Sequence, residues 1–100
     1  MKAQSKSEII FGFEEYFKDC VYNQWCIGTA GNISETLFEK LKISRRKDDW
    51  IFKITSSKIT ADEIKQYFIT QGMNKCHDDD GGNAKIVFAF RKLTNGFVEK

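Results

Sequence analysis

Trp25-Cys26-Ile27-Gly28-Thr29-Ala30-Gly31-Asn32-Ile33-Ser34-Glu35-Thr36-Leu37-Phe38-Glu39-Lys40-Leu41 passes from an apolar run through a glycine turn into an amphipathic helix. Gln24 to Gly28 is a candidate buried strand, and Gly28, Ala30 and Gly31 make the turn behind it. Asn32 followed by Glu35 has the spacing of a capping box and opens a helix running to about residue 43. Ile33, Leu37, Phe38 and Leu41 form its apolar stripe. A strand, a turn and a helix in such close succession indicate a mixed α and β domain.

Reading upstream, Ser5 and Glu8 form another capping box, and Ile9, Ile10, Phe13, Tyr16, Phe17, Cys20 and Val21 recur at helical spacing. These residues predict a helix over about 6–21, with Glu14, Glu15, Lys18 and Asp19 on its outer side. Gly12 weakens it by about 1 kcal/mol relative to Ala, which suggests close packing against a neighbour. Downstream, Ser44 to Asp49 is a charged loop and Trp50 to Thr55 alternates as a strand. Thr60 and Glu63 give a third capping box for a helix to about Gln71, with Ala61, Ile64, Tyr67 and Phe68 inward and Gly72 as its cap. A polar loop follows over 73–83. Ala84 to Lys92, apolar on both faces, predicts a central strand, and Asn95-Gly96 signals a turn near the end. The expected order is α-β-α-β-α-β: an α/β (α+β) fold with a sheet of about three strands flanked by about three helices.

The 100 residues, 41% of them hydrophobic, suffice for one domain with a real core, and no repeat or linker divides 1–100. No apolar run approaches the length of a membrane span and no secretory leader pattern opens the chain, so a cytoplasmic, non-membrane protein is expected. Three widely spaced cysteines, Cys20, Cys26 and Cys76, without a C-x-x-C pair, argue against a disulfide framework and a common zinc site. A net charge of +2 is weak for a nucleic-acid binder, and no phosphate-binding glycine motif is present.

The joint order of Cys26-Ile27-Gly28, Leu37-Phe38, Ala61, Tyr67-Phe68 and Gly72-Met73 resembles the GIY-YIG nuclease-like domains, over roughly 24–92. In that resemblance Cys26-Ile27-Gly28 is similar to the second signature strand, with cysteine in place of tyrosine. Thr36 falls at the arginine position, Leu41 where some members carry histidine, and Lys65 at the metal-holding glutamate. The first signature strand is missing, and the N-terminal helix stands in its place. Cleaving a phosphodiester needs a cation facing the phosphate and an acid holding Mg²⁺; threonine offers no charge, and a lysine would repel the metal. Glu63 lies about 200° around the helix from Lys65 and cannot substitute on the same face. The resemblance therefore implies a catalytically inactive binding domain with no cofactor, for nucleic acid or a protein partner, as monomer or homodimer.

Other residues carry alternative readings. His77 with Asp78, Asp79 and Asp80 could hold a divalent cation through oxygen ligands and rebuild a nuclease site, against the plainer reading of a solvated acidic loop. Cys76 beside His77 has the components of a thiolate and base, but adjacent residues rarely face one another productively. Lys42, Arg45, Arg46 and Lys47 with Trp50 could contact phosphates and stack a base, extended by Lys53, Lys58, Lys65 and Lys75 if they share a face. Phe11 and Phe17 are candidates for an interface on the first helix.

Overall fold

The computed structural model describes residues 5–40, 42–44, 46, 48–76 and 84–91, with the Lys40 side chain left out. Leu41, Arg45, Lys47, His77, Asp78, Asp79, Asp80 and the Asn95-Gly96 turn lie outside the described residues.

Helix α1 spans Lys6–Phe17 and helix α2 spans Lys58–Gln71. The strands are β1 (Cys26–Ala30), β2 (Asp49–Ile54), β3 (Asn74–Lys75) and β4 (Ile86–Arg91). A 3₁₀ turn, Tyr22–Gln24, precedes β1, and a π-wound segment, Glu35–Lys40, follows it. Among the described residues the sheet is mixed and four-stranded in the order β2-β4-β1-β3, one strand more than expected. β4 lies antiparallel between β1 and β2, in the interior place that its two apolar faces predict. The extra strand is β3, a two-residue parallel partner of β1 inside the predicted polar loop.

Ser5 caps α1 as predicted: its Oγ accepts from the Glu8 amide, and the Glu8 carboxylate accepts from the Ser5 amide. The helix stops about a turn early. Asp19 is unfavourable near the negative end of the helix dipole and Val21 is β-branched, so the chain leaves after Phe17 through a turn in which the Cys20 amide bonds the Phe17 carbonyl. That departure swings Tyr22 back over Phe17 and Phe68, and it leaves Val21 exposed rather than inward. A Cβ at Gly12 would meet nothing within 4 Å, so close packing does not explain this glycine. Gly12→Ala is therefore expected to stabilise the protein by about 1 kcal/mol, from helix propensity alone. A raised thermal midpoint with unchanged helical circular dichroism is the readout.

α2 begins at Ser57, earlier than the predicted Thr60 cap; the Ser57 Oγ accepts from the Thr60 amide. Gly72 ends it with φ +124°, a conformation that L side chains rarely adopt, and its amide bonds the Ile69 carbonyl. The π-wound segment closes differently. Lys42 takes φ +60° where glycine is usual, and the Ile43 amide reaches back to the Leu37 carbonyl.

Side chains alternate across the strands and build two cores. On one face Trp25, Ile27, Val87 and Ala89 meet Ile9, Phe13 and Phe17 of α1 and Ile64 and Phe68 of α2. On the other, Ala30, Cys76, Phe88 and Phe90 meet Leu37 and Ile43, with Cys26, Trp50, Phe52 and Phe38 partly buried around them. Two helices thus cover the first face, and the π-wound segment lies over the second. Among the described residues no helix is long and apolar enough to cross a membrane.

Candidate functional site

Gly28 faces the second core at the middle of β1, opposite Phe88. A Cβ built there would fall 2.9 Å from the Cys76 Cβ and 3.0 Å from the Phe88 Cζ, so this part of the strand is filled by its neighbours. Cys26 sits on the same face, half-buried, and burial pushes its thiol pKa up. No disulfide joins the three cysteines.

Thr36 and Lys65 are both interior, with 2% and 5% of their surface exposed. They belong to segments on opposite faces of the sheet: Leu37, next to Thr36, packs in the second core, whereas Ile64 and Phe68, flanking Lys65, pack in the first. The fold therefore groups Cys26, Gly28 and the Thr36 segment on one face and sets Lys65 on the other.

The basic set of the 42–50 region is described only in part. Lys42 and Arg46 are exposed. Trp50 is half-buried, with its ring 5.1 Å from Phe38 and nearly perpendicular to it, and parallel to Phe52 at 6.3 Å. Its ring thus packs within the second core's margin, which is poor placement for stacking a base. Lys58 is paired with Asp62, and Lys65 is interior. Lys53 and Lys75 lie on β2 and β3, at opposite edges of the sheet. These cations do not form one stripe.

On α1, Phe17 is fully buried and is no surface residue, while Phe11 is largely exposed. Among the described residues no three His, Cys, Asp or Glu side chains come together as a metal set.

Comparison with known protein families, curated proteins and solved structures finds no match to this chain. What the chain itself assembles is a cluster that sequence spacing does not reveal, at the end of the sheet where β4 finishes. Arg91 donates from Nε (3.2 Å) and Nη2 (2.5 Å) to Asp49 Oδ2, its cross-strand partner on β2. Its Nη1 reaches the Gln24 side-chain oxygen at 3.5 Å, and the guanidinium lies 5.3 Å from the centre of the Trp25 ring. Tyr16 packs edge-on against that same ring at 5.9 Å. Burial and then the Asp49 charge push the Tyr16 hydroxyl pKa up. The Trp25 Nε1 is buried with no hydrogen-bond partner among the described residues. Tyrosine, tryptophan and arginine are the residue types that protein interfaces concentrate. Tyr16 is 45% exposed and gives this cluster accessible aromatic surface.

A shallow groove of about 380 Å³ lies elsewhere, between the start of α1 and α2, lined by Lys6, Ile59, Asp62, Glu63 and Gln66. The Lys6–Glu63 ion pair crosses it at 3.3 Å.

Proposed function

We propose that this chain is a non-catalytic, GIY-YIG-like binding domain, and that its partner is a protein rather than a nucleic acid. One observation supports the loss of cleavage chemistry above the others. Three of the four positions that the resemblance assigns to the site are packed interior: Gly28 is covered by Cys76 and Phe88, and Thr36 and Lys65 are buried, in segments on opposite faces of the sheet. A scissile phosphate needs an open strand end with a cation and a carboxylate facing it.

The preference for a protein follows from the charges. Phosphate backbones are bound by clustered, solvent-facing cations. Here Lys6, Lys58 and Arg91 are each matched to a carboxylate, and Lys65 is interior. The Tyr16–Arg91 cluster around Trp25 offers an aromatic and an arginine side chain together, which is surface of the kind that protein partners use.

Two measurements test the reading. Incubation with single- and double-stranded DNA and RNA in Mg²⁺ or Mn²⁺ is expected to give no cleavage. Metal-dependent cutting that disappears when Asp78, Asp79 and Asp80 are changed to Asn would move the assignment to the rebuilt nuclease. Fluorescence anisotropy at low salt is expected to show, at most, weak binding that vanishes as salt is raised. Tight binding at physiological salt would make nucleic acid the partner.

A further inference from the structure

The second half of β2 is an open stretch of sheet edge. The Thr55 amide bonds the Lys85 carbonyl, so Thr55 turns its backbone groups toward β4. Direction alternates along an antiparallel pair. Lys53 therefore faces β4 as well, and Phe52 and Ile54 turn their amides and carbonyls outward. Those outward groups meet no hydrogen-bond partner among the described residues. The chain contains no proline, and the β2–β4 register contains no bulge, so two common devices that blunt an edge are missing here.

The side chains of this stretch specify what can pair with it. Phe52 lies half-buried at the margin of the second core, and Ile54, on the same face, is 56% exposed. Ile86, half-buried, stands opposite Ile54 on β4 and widens that apolar surface. Lys53 projects from the other face, and the exposed Lys85 follows it there beside Thr55. Among the described residues neither lysine meets a carboxylate. An added strand thus finds an apolar, a basic and an apolar side chain in succession. It complements them with apolar residues opposite Phe52 and Ile54 and an acidic residue opposite Lys53. In an antiparallel arrangement Phe52 and Ile54 form the hydrogen-bonded pairs. Lys53 falls in the closer pair between them, where opposite charges attract and like charges repel. A second copy of this edge fits badly. The symmetric pairing that sets Phe52 opposite Ile54 of the copy puts two Lys53 side chains face to face.

We infer that the 52–54 edge of β2 is a docking site for an extended segment of a protein partner, one that alternates apolar, acidic and apolar residues and joins the sheet beside β2. In strand addition of this kind the backbone bonds give affinity and the alternate side chains give specificity. The surface is separate from the Tyr16–Arg91 cluster. The inference does not rest on the resemblance, and it holds whether or not a partner covers that cluster.

The probe is a short synthetic peptide, blocked at both ends, that carries isoleucine, glutamate and valine in succession between threonines. It is titrated to millimolar concentration into the full chain and followed by amide NMR and hydrogen exchange. The largest shifts are expected at Phe52, Lys53 and Ile54, with exchange of the Phe52 and Ile54 amides slowed. Lysine in place of the peptide's glutamate should weaken binding by about three- to tenfold. Methylating the peptide's edge-facing backbone nitrogens keeps every side chain and should abolish binding. Lys53→Glu should reverse the preference between the two peptides, with circular dichroism confirming the fold. The methylated peptide needs no protein variant, so the test survives a Lys53→Glu chain that does not fold. Absence of shifts at Phe52 and Ile54 overturns the inference, as does equal binding of the methylated or the lysine peptide. Phe52 and Ile54 amides already protected without peptide, and more so at higher protein concentration, would make a second copy the occupant and overturn it too.

Discussion

Phe17→Ala is expected to destabilise the protein by about 3–5 kcal/mol, the range for removing a large aromatic ring from a filled core. The ring is fully buried where α1, α2, the 3₁₀ turn and the sheet converge. It lies 4.8 Å from Trp25, 5.7 Å from Phe13 and 6.0 Å from both Tyr22 and Phe68, mostly edge to face. Edge-to-face pairs add to plain burial, and those rings are spread over α1, the 3₁₀ turn and α2, which cannot all close on the vacated volume. A domain of this size holds only about 5–15 kcal/mol in total. Urea unfolding should therefore show a midpoint lowered by about 1 M or more with little change in slope. Phe11→Ala is the matched control: it removes the same ring from the exposed side of the same helix and should stay within about 0.5 kcal/mol of the parent. Equal effects from the two substitutions would mean that α1 does not pack on the sheet through Phe17.

Phe11 and Phe17 also show where sequence spacing succeeds and where it stops. Period 3.6 sorts the two faces of α1, so Ile9, Phe13 and Phe17 fall inward as expected. The same period carried to Val21 overshoots, because it does not register the turn that ends the helix at Phe17. β4 was legible as an interior strand because two apolar faces can be satisfied only between two covering layers. β3 was not: Asn74 and Lys75 are polar, and their pairing comes from β1 running beside them, with the Asn74 amide on the Trp25 carbonyl and the Cys76 amide on the Ile27 carbonyl. The Ser57 cap was passed over for Thr60 because each is a hydroxyl residue followed three positions on by a polar side chain. The Tyr16, Trp25, Asp49, Arg91 cluster draws on four separate stretches, and no local pattern announces a cross-strand pair. The resemblance placed Thr36 and Lys65 by their positions along the chain. Only the sheet shows that the segments bearing them cover opposite faces.

Gly28→Ala has the second large expected effect, and its sign depends on whether the neighbours can move. In a strand, replacing glycine by alanine ordinarily stabilises by about 0.4–1 kcal/mol through the unfolded chain. Here the new methyl would arrive 2.9 Å from the Cys76 Cβ and 3.0 Å from the Phe88 Cζ. Cys76 cannot swing aside at its Cβ, which is fixed directly to a backbone whose amide bonds the Ile27 carbonyl. Phe88 is fully buried on the central strand, directly opposite Gly28. Overpacking of this kind costs about 1–3 kcal/mol, so the net change is destabilising. Cys76→Gly removes the obstructing atom, and the double variant Gly28→Ala/Cys76→Gly should be more stable than the sum of the single effects predicts, by about 0.5–3 kcal/mol. Additive behaviour, or a Gly28→Ala protein more stable than the parent, would mean that the strand has room at this point. The distinction reaches the functional reading. A glycine kept so that a phosphate can approach the strand should tolerate alanine in the unliganded protein. A glycine kept because Cys76 and Phe88 already occupy the space should not, and a destabilised variant would agree with a strand end packed for structure rather than held open for a substrate.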